Sequence, residues 1–145
     1  MKNKYAILVE EEIDVSGRIQ FNVSTSNRTD VIDITNKVNQ NLGKLDLQGG
    51  VNVWVPHTTA AVTVNESADP DVMRDVTEQL ADLVPWNNNY QHMEGNSAAH
   101  IKSILTDCHQ WLPVQNGKLD LGRWQGVFFL EWDGPRTRKV QLYPG

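Results

Sequence analysis

The stretch "VNVWVPHTTAAVTVNE", Val51 to Glu66, decides the fold. Val51, Val53 and Val55 alternate with Asn52 and Trp54, the period-two pattern of a half-buried strand. His57 has the same parity and points inward if the strand continues. After it the apolar residues move to even positions, Ala60, Val62 and Val64. Pleat parity cannot change along an unbroken strand, so the chain must turn or bulge near His57-Thr58-Thr59. That places an imidazole and two hydroxyls at an irregular point, where backbone groups are free to face a ligand.

Outward from this stretch the chain reads as strands with a few helices set between them. Ala6-Ile7-Leu8-Val9, then Ile19, Phe21 and Val23, predict an early antiparallel pair. Thr35 is placed to cap a short helix over Asn36 to Leu42, with Gly43 stopping it. Asp69 as N-cap, Pro70 at the first helical position and Asp71 in the first turn start a second helix. Val72, Val76, Leu80 and Leu83, with Met73 and Val84, supply its apolar stripe. A third helix is expected over Ala98 to Leu105. "WLPVQNGKLDLG" reads as a hairpin turning at Asn116-Gly117. Val127 to Trp132 and Lys139 to Tyr143 are expected to pair around Asp133-Gly134-Pro135. Strict strand–helix alternation is missing, so the fold class is α+β: an antiparallel β-sandwich or strongly curved sheet with helices packed on it.

Length and composition bound what such a fold can do. A chain of 145 residues sustains one core, so residues 1–145 read as a single domain. Net charge −5 opposes a phosphate polyanion and argues against general nucleic-acid binding. No apolar run approaches the roughly 20 residues needed to cross a bilayer, and no signal core follows Met1, so no membrane partner and a cytoplasmic location are expected. Cys108, alone in the chain, agrees with a reducing compartment.

Three of the four histidines, His57, His92 and His100, lie in polar contexts at irregular points. Imidazole is the commonest zinc ligand, and three such ligands with one open position are the usual catalytic arrangement. The alternative is three structural imidazoles, and spacing alone does not choose. Glu66 and Glu94 are the carboxylates nearest in sequence, able to orient an imidazole or move a proton; a solvated loop carboxylate is the plain reading of each. The polar stretch Pro85 to Asn96 has the length of a functional loop. In "GRWQG", Gly122 to Gly126, Trp124 and Gln125 either mark a buried bend or line a pocket for a planar ring. Arg136, Arg138 and Lys139 read as a solvated strand end, with phosphate binding as the alternative.

"PHTTAAVTVNE", "ADPDV", "YQHMEGNSAAHIKS" and "LPVQNGKLDLGRWQGVFFLEWDGPRTR" together resemble, in order and spacing, the YjbQ-like family, also called secondary thiamine-phosphate synthases. The resemblance covers most of the chain from about Val51 onward. It implies a compact α+β subunit, commonly a homotrimer, with a site containing His57, His92, Glu94 and His100. Glu66, Asp69, Trp124 and Gln125 match further family positions. The activity implied is condensation of a hydroxymethylpyrimidine diphosphate with a thiazole phosphate. In that reading a divalent ion, zinc or magnesium, sits on His57, His92 and His100, with His57, Glu66 and Glu94 catalytic. Thr58, Thr59 and Asn96 donate hydrogen bonds to the small-molecule substrate, and Trp124 and Gln125 line its rings. A metal-dependent hydrolase and a non-catalytic metal- or small-ligand-binding trimer remain as alternatives. One departure bears on chemistry: Asp107-Cys108-His109 stands where many relatives carry small residues, and an Asp there repels phosphate.

Overall fold

The computed structural model describes residues 12–13 and 17–145; the strand expected over Ala6 to Val9 lies outside them. Strands β1 (Glu12–Ile13), β2 (Ile19–Ser24), β4 (Gly50–Trp54), β6 (His109–Gln115), β7 (Lys118–Leu119) and β9 (Thr137–Pro144) form one sheet in the order β1-β2-β9-β4-β6-β7. A second sheet has the order β3-β8-β5, from β3 (Asp30–Asp33), β5 (Ala60–Glu66) and β8 (Gln125–Glu131). Every pairing is antiparallel. The helices are α1 (Thr35–Leu42), α2 (Pro70–Leu83) and α3 (Ser97–Thr106), so the α+β class is as expected. Among the described residues no helix is long and apolar enough to cross a membrane.

The core lies between the two sheets. Ile19, Phe21, Val51, Val53, Val140 and Leu142 face Ala60, Val62, Val127 and Phe129 across it, and Val38 and Leu42 of α1 close one end. The three-stranded sheet is buried on its other face too, where Phe128, Leu130 and Trp132 meet Met73 of α2 and Ala99 of α3. β8 is therefore apolar at both parities, as a strand covered on both faces must be. The molecule has three layers: large sheet, small sheet, helices.

The parity change at His57 is a change of sheet. β4 ends in the large sheet at Trp54 and β5 begins in the small one at Ala60. Between them the His57 amide donates to the Val55 carbonyl at 2.9 Å, a tight bend that carries the chain across the core.

Asp69 caps α2 as expected, its Oδ1 accepting from the Asp71 amide at 2.9 Å, with Pro70 at the first helical position. Asn116 and Gly117 take φ of 54° and 75°, the paired positive values of a tight hairpin turn. Gly43 follows the last residue of α1 and caps it as expected, with a right-handed φ of −65°. Three expectations are corrected. Thr35 does not cap α1 from outside; it is the first helical residue, and its hydroxyl accepts from the Val127 amide and donates to Asp33, tying the helix to β8. Leu83 is 66% exposed, because only Met73, Val76 and Leu80 of the stripe reach the sheet. Finally, β8 and β9 do not pair with each other: β8 pairs with β3 and β5, and β9 with β2 and β4.

Candidate functional site

The end of β4 leaves a gap in the ladder that His57 fills. By register Trp54 faces Gln141 on β9, so residue 56 would face Lys139 if the strand continued. The strand departs instead, and the freed Lys139 amide donates to His57 Nε2 at 2.9 Å. A main-chain N–H can only donate, so Nε2 carries a lone pair and the neutral ring holds its proton on Nδ1. Burial lowers the proton affinity of His57 below its ordinary value, and the Arg138 guanidinium pushes the same way, against the opposing Glu131 carboxylate.

Behind His57 stands a buried ion pair. Arg138 is 4% exposed and Glu131 0%; the Arg138 Nε contacts both Glu131 oxygens, at 2.9 and 3.1 Å, and its Nη2 reaches Glu131 and the Thr59 hydroxyl. Thr25 donates to Glu131 at 2.8 Å. The strand-end reading of Arg138 as solvated is thus corrected. The parity held the signal: Glu131 follows Val127 and Phe129, and Arg138 precedes Val140 and Leu142, all facing inward. A hydroxyl that accepts from a guanidinium keeps its own proton to donate, which leaves Thr59 a donor.

A cavity of about 890 Å³ opens over this floor, lined by His57, Thr58, Thr59, His92, Glu94, Asn96, His100, Cys108, Arg136 and Arg138 among others. Seven of the sequence-predicted residues therefore meet in one place. His92 and His100 approach edge to face, with ring centroids 5.5 Å apart. Arg136 is half-exposed and pairs with Asp133 at 3.1 Å. Burial pushes the Cys108 thiol up, and Asp107 pushes the same way, which favours its neutral form. His109 turns to the outside of the large sheet, its Nε2 within 2.8 Å of Asn52 Oδ1.

The metal expectation meets a different geometry. Among the described residues no group of three His, Cys, Asp or Glu side chains is placed to hold an ion. His57 Nε2 is occupied by the Lys139 amide, and zinc needs ligand nitrogens close to 2.1 Å from one point. As placed, His57, His92 and His100 share a cavity without forming a metal set.

Asn96 ends the loop and precedes α3. Asparagine at this N-cap position normally caps the helix through its side-chain oxygen, worth about 1 kcal/mol. Here there is no side-chain cap bond. The amide nitrogen donates instead to Asp133 Oδ2 at 2.9 Å, and Oδ1 is buried without a hydrogen-bond partner. Asn96 thus gives one of its two N–H groups to Asp133, and beside the donor role expected of it stands an acceptor, Oδ1, with no partner.

Glu66, Trp124 and Gln125 lie elsewhere. β5 starts at the cavity with Ala60 and ends at Glu66 opposite Gln125, about 20 Å away at roughly 3.4 Å per residue. Glu66 lines a separate cavity with Asp30, Asp33 and Arg74. Trp124 is 54% exposed beneath the Arg123 guanidinium, 4.7 Å from its ring centre, and Gln125 Oε1 accepts from the Gly122 amide. Within one subunit none of the three reaches a ligand held by His57.

The model of the UPF0047 protein YjbQ-like family matches residues 19–143. A UPF0047 protein of Methanocaldococcus jannaschii is 45% identical over 124 residues, 85% of this chain and 90% of that protein. The UPF0047 protein YugU of Bacillus subtilis is 45% identical over 122 residues, 83% of this chain and 92% of that one. The crystal structure of a YjbQ/UPF0047 family protein from Clostridium acetobutylicum superposes with a TM-score of 0.83 at 47% identity, covering 86% of this chain and 98% of that chain.

Proposed function

The chain belongs to the YjbQ-like UPF0047 family, and from that premise we propose that it is a small-molecule enzyme that condenses a hydroxymethylpyrimidine diphosphate with a thiazole phosphate in the His57 cavity. One observation carries the reading: side chains from separate stretches gather in a cavity of about 890 Å³, within the range of small-molecule sites, around an imidazole held by the backbone. In the reaction the thiazole nitrogen lone pair attacks the pyrimidine methylene carbon, and the carbon–oxygen bond to diphosphate breaks with its electrons on the leaving oxygen. No net proton transfer is required. The protein's task is to align two rings and meet charge as it develops. His57 Nδ1–H and the hydroxyls of Thr58 and Thr59 donate to the leaving oxygens, and the half-exposed Arg136 on the cavity wall supplies positive charge. Glu94 lines the same cavity as His92 and His100 and is the carboxylate available there to the substrate. With His57 Nε2 engaged, no step passes through a metal ion. The assembly is a homotrimer in this reading, supported by the exposed apolar side chains Leu83, Ile104 and Leu105, whose burial between copies would be favourable.

The test supplies purified protein with both precursors and measures thiamine phosphate and released phosphate together. Wild type forms the condensed product, and His57→Ala lowers turnover by about 100-fold, the scale of one lost charge-stabilising donor. His57→Gln, whose side-chain oxygen can still accept from the Lys139 amide, checks that the loss is not one of folding. Phosphate release without condensation would assign a hydrolase, and neither product would remove the reading.

A further inference from the structure

We propose that Asn96 is a specificity-determining residue whose side-chain oxygen selects ligands bearing an exocyclic amino or ring N–H donor. Asn96 lines the His57 cavity yet is only 8% exposed. Its Oδ1 has neither a protein partner nor contact with solvent. Buried acceptors are almost always satisfied, so an orphan oxygen on a residue that lines a cavity marks where a donor is missing.

The amide cannot satisfy the oxygen by flipping. Asp133 Oδ2 takes the Asn96 nitrogen at 2.9 Å, and the same oxygen takes Arg136 Nη2 at 3.1 Å, while Arg136 Nε holds the Asp133 carbonyl at 2.8 Å. A carboxylate paired with a guanidinium accepts and does not donate, so Asp133 faces nitrogen and the oxygen stays turned away. The oxygen also declines its nearest local use, because α3 begins at Ser97 with no side-chain cap bond. A residue that gives up its cap to hold an unpaired acceptor breaks a local rule, and such breaks concentrate at functional sites. The oxygen is closed off from solvent, so a donor reaches it only when the wall at Asn96 shifts; the segment Gln91 to Gly95 that precedes it is exposed at every residue.

The inference rests on the proposed reaction and narrows its substrate: among hydroxymethylpyrimidine diphosphates, one that bears a ring amino group. A pocket built to hydrogen-bond such a group rejects an analogue lacking it, because the acceptor is then left unpaired. The experiment measures by calorimetry the affinity of wild type and Asn96→Leu for the aminopyrimidine diphosphate and for the same compound with hydrogen in place of the amino group. Wild type should prefer the amino compound by roughly 30-fold or more, and Asn96→Leu should bind both within about threefold. Equal wild-type affinities, with condensation still observed, would overturn this inference and leave the reaction standing; a water then fills the role. Failure of wild type to bind either compound would overturn both. Should Asn96→Leu not fold, the wild-type comparison decides alone.

Discussion

Arg138 and Glu131 bury two opposite charges beneath the cavity, and the arrangement holds because each group is saturated. Thr25 donates to the carboxylate and Thr59 accepts from the guanidinium, so little hydrogen-bonding capacity is left unmet. Glu131→Gln keeps the shape and removes the countercharge, leaving a guanidinium 4% exposed without compensation. The expected cost is about 3–5 kcal/mol, read from urea unfolding; a loss under about 1 kcal/mol would mean that water reaches the pair. His57 adds a pH signature. Its proton affinity is lowered in the fold, by burial first and by Arg138 second, so the unfolded chain binds the proton more readily. Stability from this group is therefore complete above pH 6.5 or so, the ordinary histidine value, and drains away as pH falls below it toward the folded value. Unfolding free energies from pH 7.5 to 5 should fall more steeply for wild type than for His57→Gln. Parallel curves would show that the imidazole charges freely in the fold.

At the level of elements, local chemistry and long-range pairing differ in how far they can be read. The start of α2 is written in three consecutive residues, and Asp69 does what its position demands; Asp69→Ala should cost about 1 kcal/mol in thermal or urea unfolding, and no change would mean that water replaces the cap. The Asn116-Gly117 turn was equally legible, because left-handed backbone at two successive residues selects those side chains. Alternation tells which side of a strand faces the core but not which strand lies beside it. β8 and β9 are separated by only a short loop, which by itself predicts a pair; they instead belong to different sheets. Leu83 is exposed for a related reason, since a helical stripe continues past the end of the surface that covers it. In the site, His57 was legible as an anomaly of parity, whereas its partner, the Lys139 amide, was not. A main-chain donor leaves no mark in the side-chain sequence.

Across the whole molecule, the small sheet joins two ends with different chemistry. At one end Ala60 follows Thr59 of the cavity that also holds His57, Asn96 and Arg138; at the other Glu66 stands opposite Gln125, with Trp124 beside it. The family pattern spans both ends, but a ligand in the first cavity is about 20 Å from the second along β5. Substitutions that far apart with no shared partner normally act independently, within about 0.5 kcal/mol. In a single subunit, then, Trp124→Ala should change affinity for the aminopyrimidine diphosphate by less than about twofold, while Asn96→Leu and His57→Ala weaken it strongly. Trp124 is more than half exposed, so its removal should also spare the fold, making the comparison clean. Calorimetry on the three variants, with light scattering on each to fix the number of 16.4 kDa chains per particle, measures both. If Trp124→Ala loses tenfold or more while the particle stays intact, well beyond what independent sites allow, the indole reaching the ligand belongs to another copy of the chain, and the complete site is then a property of the assembly.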